Sequence, residues 1–260
     1  MATGDNLTRS GQLTDMTLAI IGGTGAVNLL ESTGQRVVET PYGEPSAPVM
    51  RVRLGQGEAW FLARHGSPHR IAPHRVNYRA NIDALRQLGV DRIIAVNAVG
   101  SIAPELEPGS LVVPDQLIDY TWGRESSFAN DADRPLVHIE FADPFSRSLR
   151  EALLAAANAA GMTVHAGGCC AVTQGPRLET AAEVRRLAAD GCTLVGMTSL
   201  PEAALAREAG IDYASLCVVA NPAAGLSHEP ISMAEIEAVL GQAMADANRL
   251  LQAFGDLQVV

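Results

Sequence analysis

The chain repeats one rhythm: a short apolar run that stops abruptly at glycine or at small polar residues. Residues 18–21 run into Gly22-Gly23-Thr24-Gly25, which predicts a first strand and a tight glycine loop. Residues 60–63 predict a second strand, ending at Arg64-His65-Gly66. Residues 93–96 read as a buried strand ending in Asn97-Ala98-Val99-Gly100, and 111–113 as a strand stopped by Pro114. Helical spacing covers 77–88, with Gly89 as its stop, and 146–160, ending at Gly161. The second half alternates: strand-like 163–173 with two glycines, helix 179–189, strand 193–195, helix 201–209, strand 213–219 and a long closing helix over 233–254. Such alternation predicts an α/β fold with a mostly parallel sheet and helices on its faces. Residues 121–143 show no period and read as a long ordered loop, a kind of segment that tends to be functional.

Composition narrows the chemistry. At 260 residues with 47% hydrophobic and 18% charged positions, the chain suits one well-filled domain over 17–260. Residues 1–16 are polar, lack an apolar signal core and read as a flexible N-terminal extension. The net charge of −10 disfavours nucleic acid and anionic membranes, so the expected partners are a small molecule and further copies of the chain. All 19 basic residues are Arg. Schiff-base chemistry, pyridoxal phosphate attachment and a Walker-type loop all need a lysine amine and are excluded. Cys169, Cys170, Cys192 and Cys217 form no C-x-x-C pair and read as small hydrophobes of a reducing, cytoplasmic setting. No apolar run is long enough to span a membrane.

Several predicted strands end in residues that a core would not choose: Thr24, Arg64-His65, Asn97-Ala98, Gln174 to Arg177, Met197-Thr198 and Asn221. In open α/β sheets ligands bind at strand carboxyl ends. Gly22 to Gly25 can offer amides and a hydroxyl to an anion, or can be a plain turn. It lacks the dinucleotide spacing, since Asn28 stands at the third glycine position. Arg64, His65 and Thr198 add a guanidinium fork, an imidazole and a second hydroxyl; each also has an ordinary structural reading.

Five motifs in order carry a family resemblance: Ile21 to Gly25, Leu62 to Gly66, Val76 to Asn81, Gln174 to Glu179 and Gly196 to Glu202. Together, matching in order and spacing over about 18–250, they resemble the trimeric purine nucleoside phosphorylases, most like the methylthioadenosine and methylthioinosine phosphorylase branch. The resemblance implies a single domain around a twisted, partly barrel-like mixed sheet, usually a homotrimer. It implies attack of inorganic phosphate, a co-substrate rather than a cofactor, on C1′ of a purine nucleoside. By motif match Thr24, Arg64, His65 and Thr198 would hold phosphate. Asn97 stands where the methylthioadenosine branch has a phosphate-contacting Thr. Ala98 and Gly100 would line sugar and base, and Met197 would pack under the ribose. No metal is implied.

The base and sugar are read by four further residues. Asn221 can donate to N7 of the leaving purine, or form a local turn before Pro222. Glu179 can accept the N1 hydrogen of a 6-oxopurine, or serve as a helix N-terminal charge. The adenine-specific branch resembles this chain but carries Ser and Asp at these positions, so the pair points to 6-oxopurines. Met233 falls where the methylthio branch is apolar, and is otherwise a core methionine; His138 resembles a residue supplied to the neighbouring subunit's site. The expectation is phosphorolysis of 5′-methylthioinosine or another 6-oxopurine nucleoside. The alternatives are methylthioadenosine phosphorylase, a dinucleotide-binding oxidoreductase, a hydrolase on the same scaffold and a non-catalytic purine binder.

Overall fold

A computed structural model describes residues 17–23, 31–130, 135–227 and 232–258. The expected N-terminal extension, Thr24 and His228 lie outside the described residues, as does the side chain of Met233. The strands are β1 (Leu18–Gly22), β2 (Ser32–Arg36), β3 (Val49–Leu54), β4 (Gly57–Ala63), β5 (Arg92–Ser101), β6 (Leu111–Val113), β7 (Gln116–Asp119), β8 (His165–Ala166), β9 (Cys169–Val172), β10 (Leu194–Gly196) and β11 (Asp212–Pro222). The helices are α1 (Tyr78–Gln87), α2 (Arg147–Ala159), α3 (Ala181–Ala189), α4 (Ser199–Glu208) and α5 (Met233–Gln258).

Strand alternation divides the core into two layers. Ile20 of β1, Ile94 of β5 and Leu216 and Val218 of β11 face one way, against Leu149 and Leu153 of α2 and the apolar stripe of α5. That stripe, Leu240, Ala243, Met244, Ala247, Leu250, Leu251 and Phe254, keeps helical spacing over four turns. Ala19 and Ile21 of β1, Ile93 and Ala95 of β5 and Tyr213 of β11 face the opposite way, against α1 and α4. A sheet covered on both faces explains why its central strands read as continuous apolar runs.

The sheet runs β2-β3-β4-β1-β5-β10-β9-β7, with β11 pairing β5 and β6 off that path. Central pairs β1–β4, β1–β5, β5–β11 and β9–β10 are parallel, whereas β2–β3, β3–β4, β5–β10 and β6–β11 are antiparallel. The mixed, mostly parallel expectation therefore holds. Strand β5 organises it. One edge pairs β1 from Arg92 to Val96, then β10 from Gly100 to Ser101; the other edge pairs β11 along its length. Between these partners Asn97, Ala98 and Val99 have no described ladder partner on the first edge. The sheet splits there, and a split beside strand carboxyl ends is where α/β proteins place ligands.

Several expected boundaries move. The strand expected over 93–96 continues to Ser101 because β11 supports it. The stretch 163–173 breaks into β8 and β9 at Gly167 and Gly168, both at positive φ. The helix expected from 179 starts at Ala181, since Thr180 caps it and Glu183 completes a reciprocal capping box. Glu179 thus stands before the cap. Strands β2, β3 and β7 were not expected. Strand β2 is exposed along its whole length and β7 is exposed at both ends, so neither carries an apolar signal. Among the described residues no helix is long and apolar enough to cross a membrane.

Candidate active site

Arg64 follows β4 directly and is 1% exposed. Its Nε and Nη2 donate to Glu202 Oε2 and Oε1 of α4 at 2.7 and 2.8 Å. The Tyr213 hydroxyl donates to the same Oε1 at 2.8 Å. Burial opposes the guanidinium charge, but Glu202 more than offsets it and holds Arg64 above its usual pKa. Its remaining nitrogen, Nη1, donates to the Val96 carbonyl at 3.3 Å, just before the split in β5. A Cβ on Gly23 would sit 3.3 Å from that nitrogen, so glycine lets the backbone at the end of β1 approach the cation closely.

His65 is fixed by its own loop. Its Nδ1 donates to the Ile71 carbonyl at 2.7 Å, and its ring stacks on His69 with centroids 4.4 Å apart. Burial, reinforced by Arg64, pushes its pKa down to about 4, so the ring is neutral at physiological pH. A neutral ring with Nδ1 donating leaves Nε2 as an acceptor.

Beyond Val96, Asn97 anchors a buried polar chain. Thr198 Oγ1 donates to its Oδ1 at 3.0 Å, and its Nδ2 donates to Ser215 Oγ at 2.7 Å. Thr198 opens α4 as its N-cap residue, yet its hydroxyl makes no capping bond and turns to Asn97 instead. The site therefore brings Arg64, Asn97 and Thr198 together around the split.

The other end of the split carries the second group. Ala98 is half-buried against the α2 and α5 layer. Gly100 pairs Asn221 of β11, and the space a side chain would need is filled by Val195 at 3.2 Å and Ala223 at 3.4 Å; only its backbone can face a ligand. A bulge at Ala220 shifts the β11 register between Val219 and Asn221 and so re-aims Asn221, which is half-buried. Its Nδ2 donates to the adjacent Pro222 carbonyl at 2.6 Å.

Glu179 accepts a hydrogen bond from Thr173 Oγ1 at 2.6 Å. Thr180 and Glu183 supply the cap of α3, so Glu179 is spared that task. It lines a cleft of about 330 Å³ with Tyr120, Trp122, Thr173, Gln174 and Gly175. Asn221 does not line this cleft. The chain beyond it is nonetheless tied to α3, since Gly225 passes so close to Ala181 that no Cβ could fit. Gly175, at φ +61°, leaves room for the Met197 thioether, whose Sδ would lie 2.6 Å from a Cβ there.

His138 is exposed on the segment after 134 and Met233 begins α5, so neither joins this constellation through a described contact. Arg177 forms an exposed ion pair with Glu183, at 2.7 Å, and serves the cap of α3. The four cysteines are free thiols; Cys169 is half-buried and the other three are buried. Among the described residues no group of three His, Cys, Asp or Glu is placed to hold a metal ion. Sequence reasoning missed Glu202, Tyr213, Thr173 and Ser215. The visible sign for Glu202 was a lone carboxylate among Ala and Leu on a helix, four residues after Thr198.

The phosphorylase superfamily model matches residues 17–255. A probable S-methyl-5′-thioinosine phosphorylase of Xanthomonas campestris pv. campestris is 50% identical over 92% of this chain and 96% of its own. A 6-oxopurine nucleoside phosphorylase of Pyrococcus furiosus is 43% identical over 91% of each chain. Among solved structures, methylthioadenosine phosphorylase from Schistosoma mansoni in complex with adenine superposes with a TM-score of 0.88, at 34% identity, over 94% of this chain and 92% of that one. A superfamily match across nearly the whole chain, and a relative half identical along it, show that the chain belongs to the phosphorylase superfamily.

Proposed function

We propose that this protein cleaves the N-glycosidic bond of 6-oxopurine nucleosides with inorganic phosphate, preferring 5′-methylthioinosine. The products are hypoxanthine and 5-methylthioribose 1-phosphate. The observation that carries this reading is the Glu179 carboxylate at the cleft, with Thr173 on Oε1 and Oε2 left to accept a hydrogen. A 6-oxopurine offers N1–H to it; adenine presents a lone pair, which a carboxylate repels. Leaving that acceptor unpaired costs about 1–3 kcal/mol, at least about tenfold in discrimination.

Phosphate would sit among Arg64, Thr198, Asn97 and Thr24, beneath the ribose. Arg64 meets the anion with its charge already oriented by Glu202. Neutral His65 accepts the P–OH hydrogen of the dianion through Nε2, which aims the charged oxygens at C1′. As the C1′–N9 bond breaks, positive charge grows on the sugar and negative charge on the purine. The phosphate stabilises the first, and the Asn221 amide, released from Pro222, donates to N7 against the second. The new C1′–O bond forms as C1′–N9 breaks; the hydrogen phosphate gives up its proton to solvent and the departing purine anion takes one up from solvent, so that protons and charge balance. No protein nucleophile is needed; positioning and electrostatics supply the acceleration.

Met233 at the start of α5 would offer a thioether to the methylthio group, and His138 would reach a neighbouring subunit's site in a homotrimer. The relatives named as methylthioinosine phosphorylases support the 5′ preference. Turnover of methylthioinosine, methylthioadenosine, inosine and guanosine, each with and without phosphate, tests the reading. Methylthioinosine should lead and every rate should require phosphate. Preference for methylthioadenosine would overturn the reading of Glu179, and cleavage indifferent to phosphate would favour a hydrolase.

A further inference from the structure

Arg124 lies in the segment after β7, where the sequence shows no periodicity, yet it holds more of the site together than any residue expected there. Its Nη1 lies within hydrogen-bonding distance of the carbonyls of Met197 at 2.9 Å and Leu200 at 2.6 Å, and of the Tyr78 hydroxyl at 3.3 Å. Its Nη2 donates to the carbonyls of Thr173 at 3.2 Å and Gln174 at 2.9 Å. The guanidinium also lies over the Tyr78 ring, 5.5 Å from its centroid.

These partners belong to two different walls of the site. Thr173 carries the hydroxyl that holds Glu179, and Gln174 follows it. Met197 and Leu200 bracket Thr198, whose hydroxyl holds Asn97. One planar fork from a third segment therefore grips both the strand end beside the base reader and the helix start beside the anion holder. Thr173 and Gln174 follow the end of β9, and Met197 and Leu200 flank an irregular helix start: Leu200 has φ −120° and ψ 140° inside α4, so its carbonyl points out of helical register. A lysine ammonium could not replace the fork, because it is a point charge without fixed donor directions.

We infer that Arg124 is a positioning residue that sets the separation between Glu179 and Thr198, and so couples base recognition to phosphate binding. This role rests on the proposed phosphorolysis. It touches neither substrate; it acts through Thr173 and Met197. Phosphate binding should order the 197–200 segment, and Arg124 should pass that order to the strand end at 173–174, so that each ligand tightens the other.

The test uses full-length Arg124→Lys and Arg124→Ala. Hypoxanthine binding is measured by calorimetry with and without phosphate, beside steady-state kinetics and thermal melting. In the wild type phosphate should tighten hypoxanthine. In Arg124→Lys that tightening should vanish, both KM values should rise, and kcat/KM should fall by about a hundredfold. Guanidinium ion should restore part of the activity of Arg124→Ala and none of Arg124→Lys. A folded Arg124→Lys that keeps the coupling, with both KM values within about threefold of wild type, overturns the inference. Loss of folding in both variants also overturns it, since Arg124 would then serve the fold rather than the site. Wild-type protein that turns over no purine nucleoside overturns the functional reading, and with it the assignment of Arg124 to phosphorolysis; the binding measurement still decides the coupling.

Discussion

Arg64 and Glu202 stand 138 residues apart in sequence and meet as a two-pronged ion pair sealed inside the protein, with neither side chain more than 1% exposed. Removing water from both charges is costly, and the pair is tolerable only because its geometry is complete and Tyr213 adds a third donor to the carboxylate. The pair leaves Arg64 Nη1 pointing at the split in β5, where the anion is proposed to bind.

Glu202→Gln keeps the shape and removes the charge, leaving Arg64 uncompensated. Unfolding in urea should show a loss of about 3 kcal/mol or more. A loss below about 1 kcal/mol would mean that Arg64 is neutralised by some other group.

Glu179→Gln turns an acceptor into an amide that can donate to a bare N1. The ratio of kcat/KM for methylthioadenosine to that for methylthioinosine should rise by at least about tenfold. Thr173→Val, which frees Glu179 Oε1, should lower 6-oxopurine turnover by about tenfold and leave adenine nucleosides unchanged. An unchanged ratio in Glu179→Gln would sink the carboxylate as the base reader.

Asn221→Ala removes the proposed N7 donor. Single-turnover cleavage of methylthioinosine should slow by about a hundredfold. A riboside whose leaving group needs no protonation, such as a nitrophenyl riboside, should lose far less. Equal losses on both substrates would place Asn221 in the scaffold rather than at the leaving base.

The neutral ring of His65 also writes itself into stability. Folding lowers its pKa from 6.5 to about 4, so between those values the unfolded chain binds a proton that the folded chain refuses. The contribution is fully present above about pH 6.5 and is lost as pH falls toward 4. The melting temperature of the wild type should therefore fall over that window more steeply than that of His65→Gln. Parallel curves would mean that the ring is already charged in the native state.

Local rules explain what was legible beforehand. Asn77 and Ser146 each cap the helix that begins after them, with side chains accepting from Ala80 and Leu149 amides, and both helix starts were expected within one residue. Apolar runs marked the central strands because both faces of the sheet are covered. Edge strands β2 and β7 stayed hidden because exposed edges carry no such run. The site was legible only where single residues interrupt apolar runs, as at Arg64 and Asn97. Its supporting contacts were not: Glu202 reaches Arg64 across 138 positions and Arg124 reaches Leu200 across 76, and no local pattern records such pairings.

Strand β5 runs unbroken from Val96, where Arg64 is anchored, to Gly100, where Asn221 is paired. Four steps of an extended chain cover about 13 Å. On the proposed reading the strand would act as a gauge with one grip at each mark. A free base or a lone sugar phosphate would reach one mark only, whereas a nucleoside resting on phosphate would fill the interval, so that ligands would be sorted by length before their chemistry is inspected.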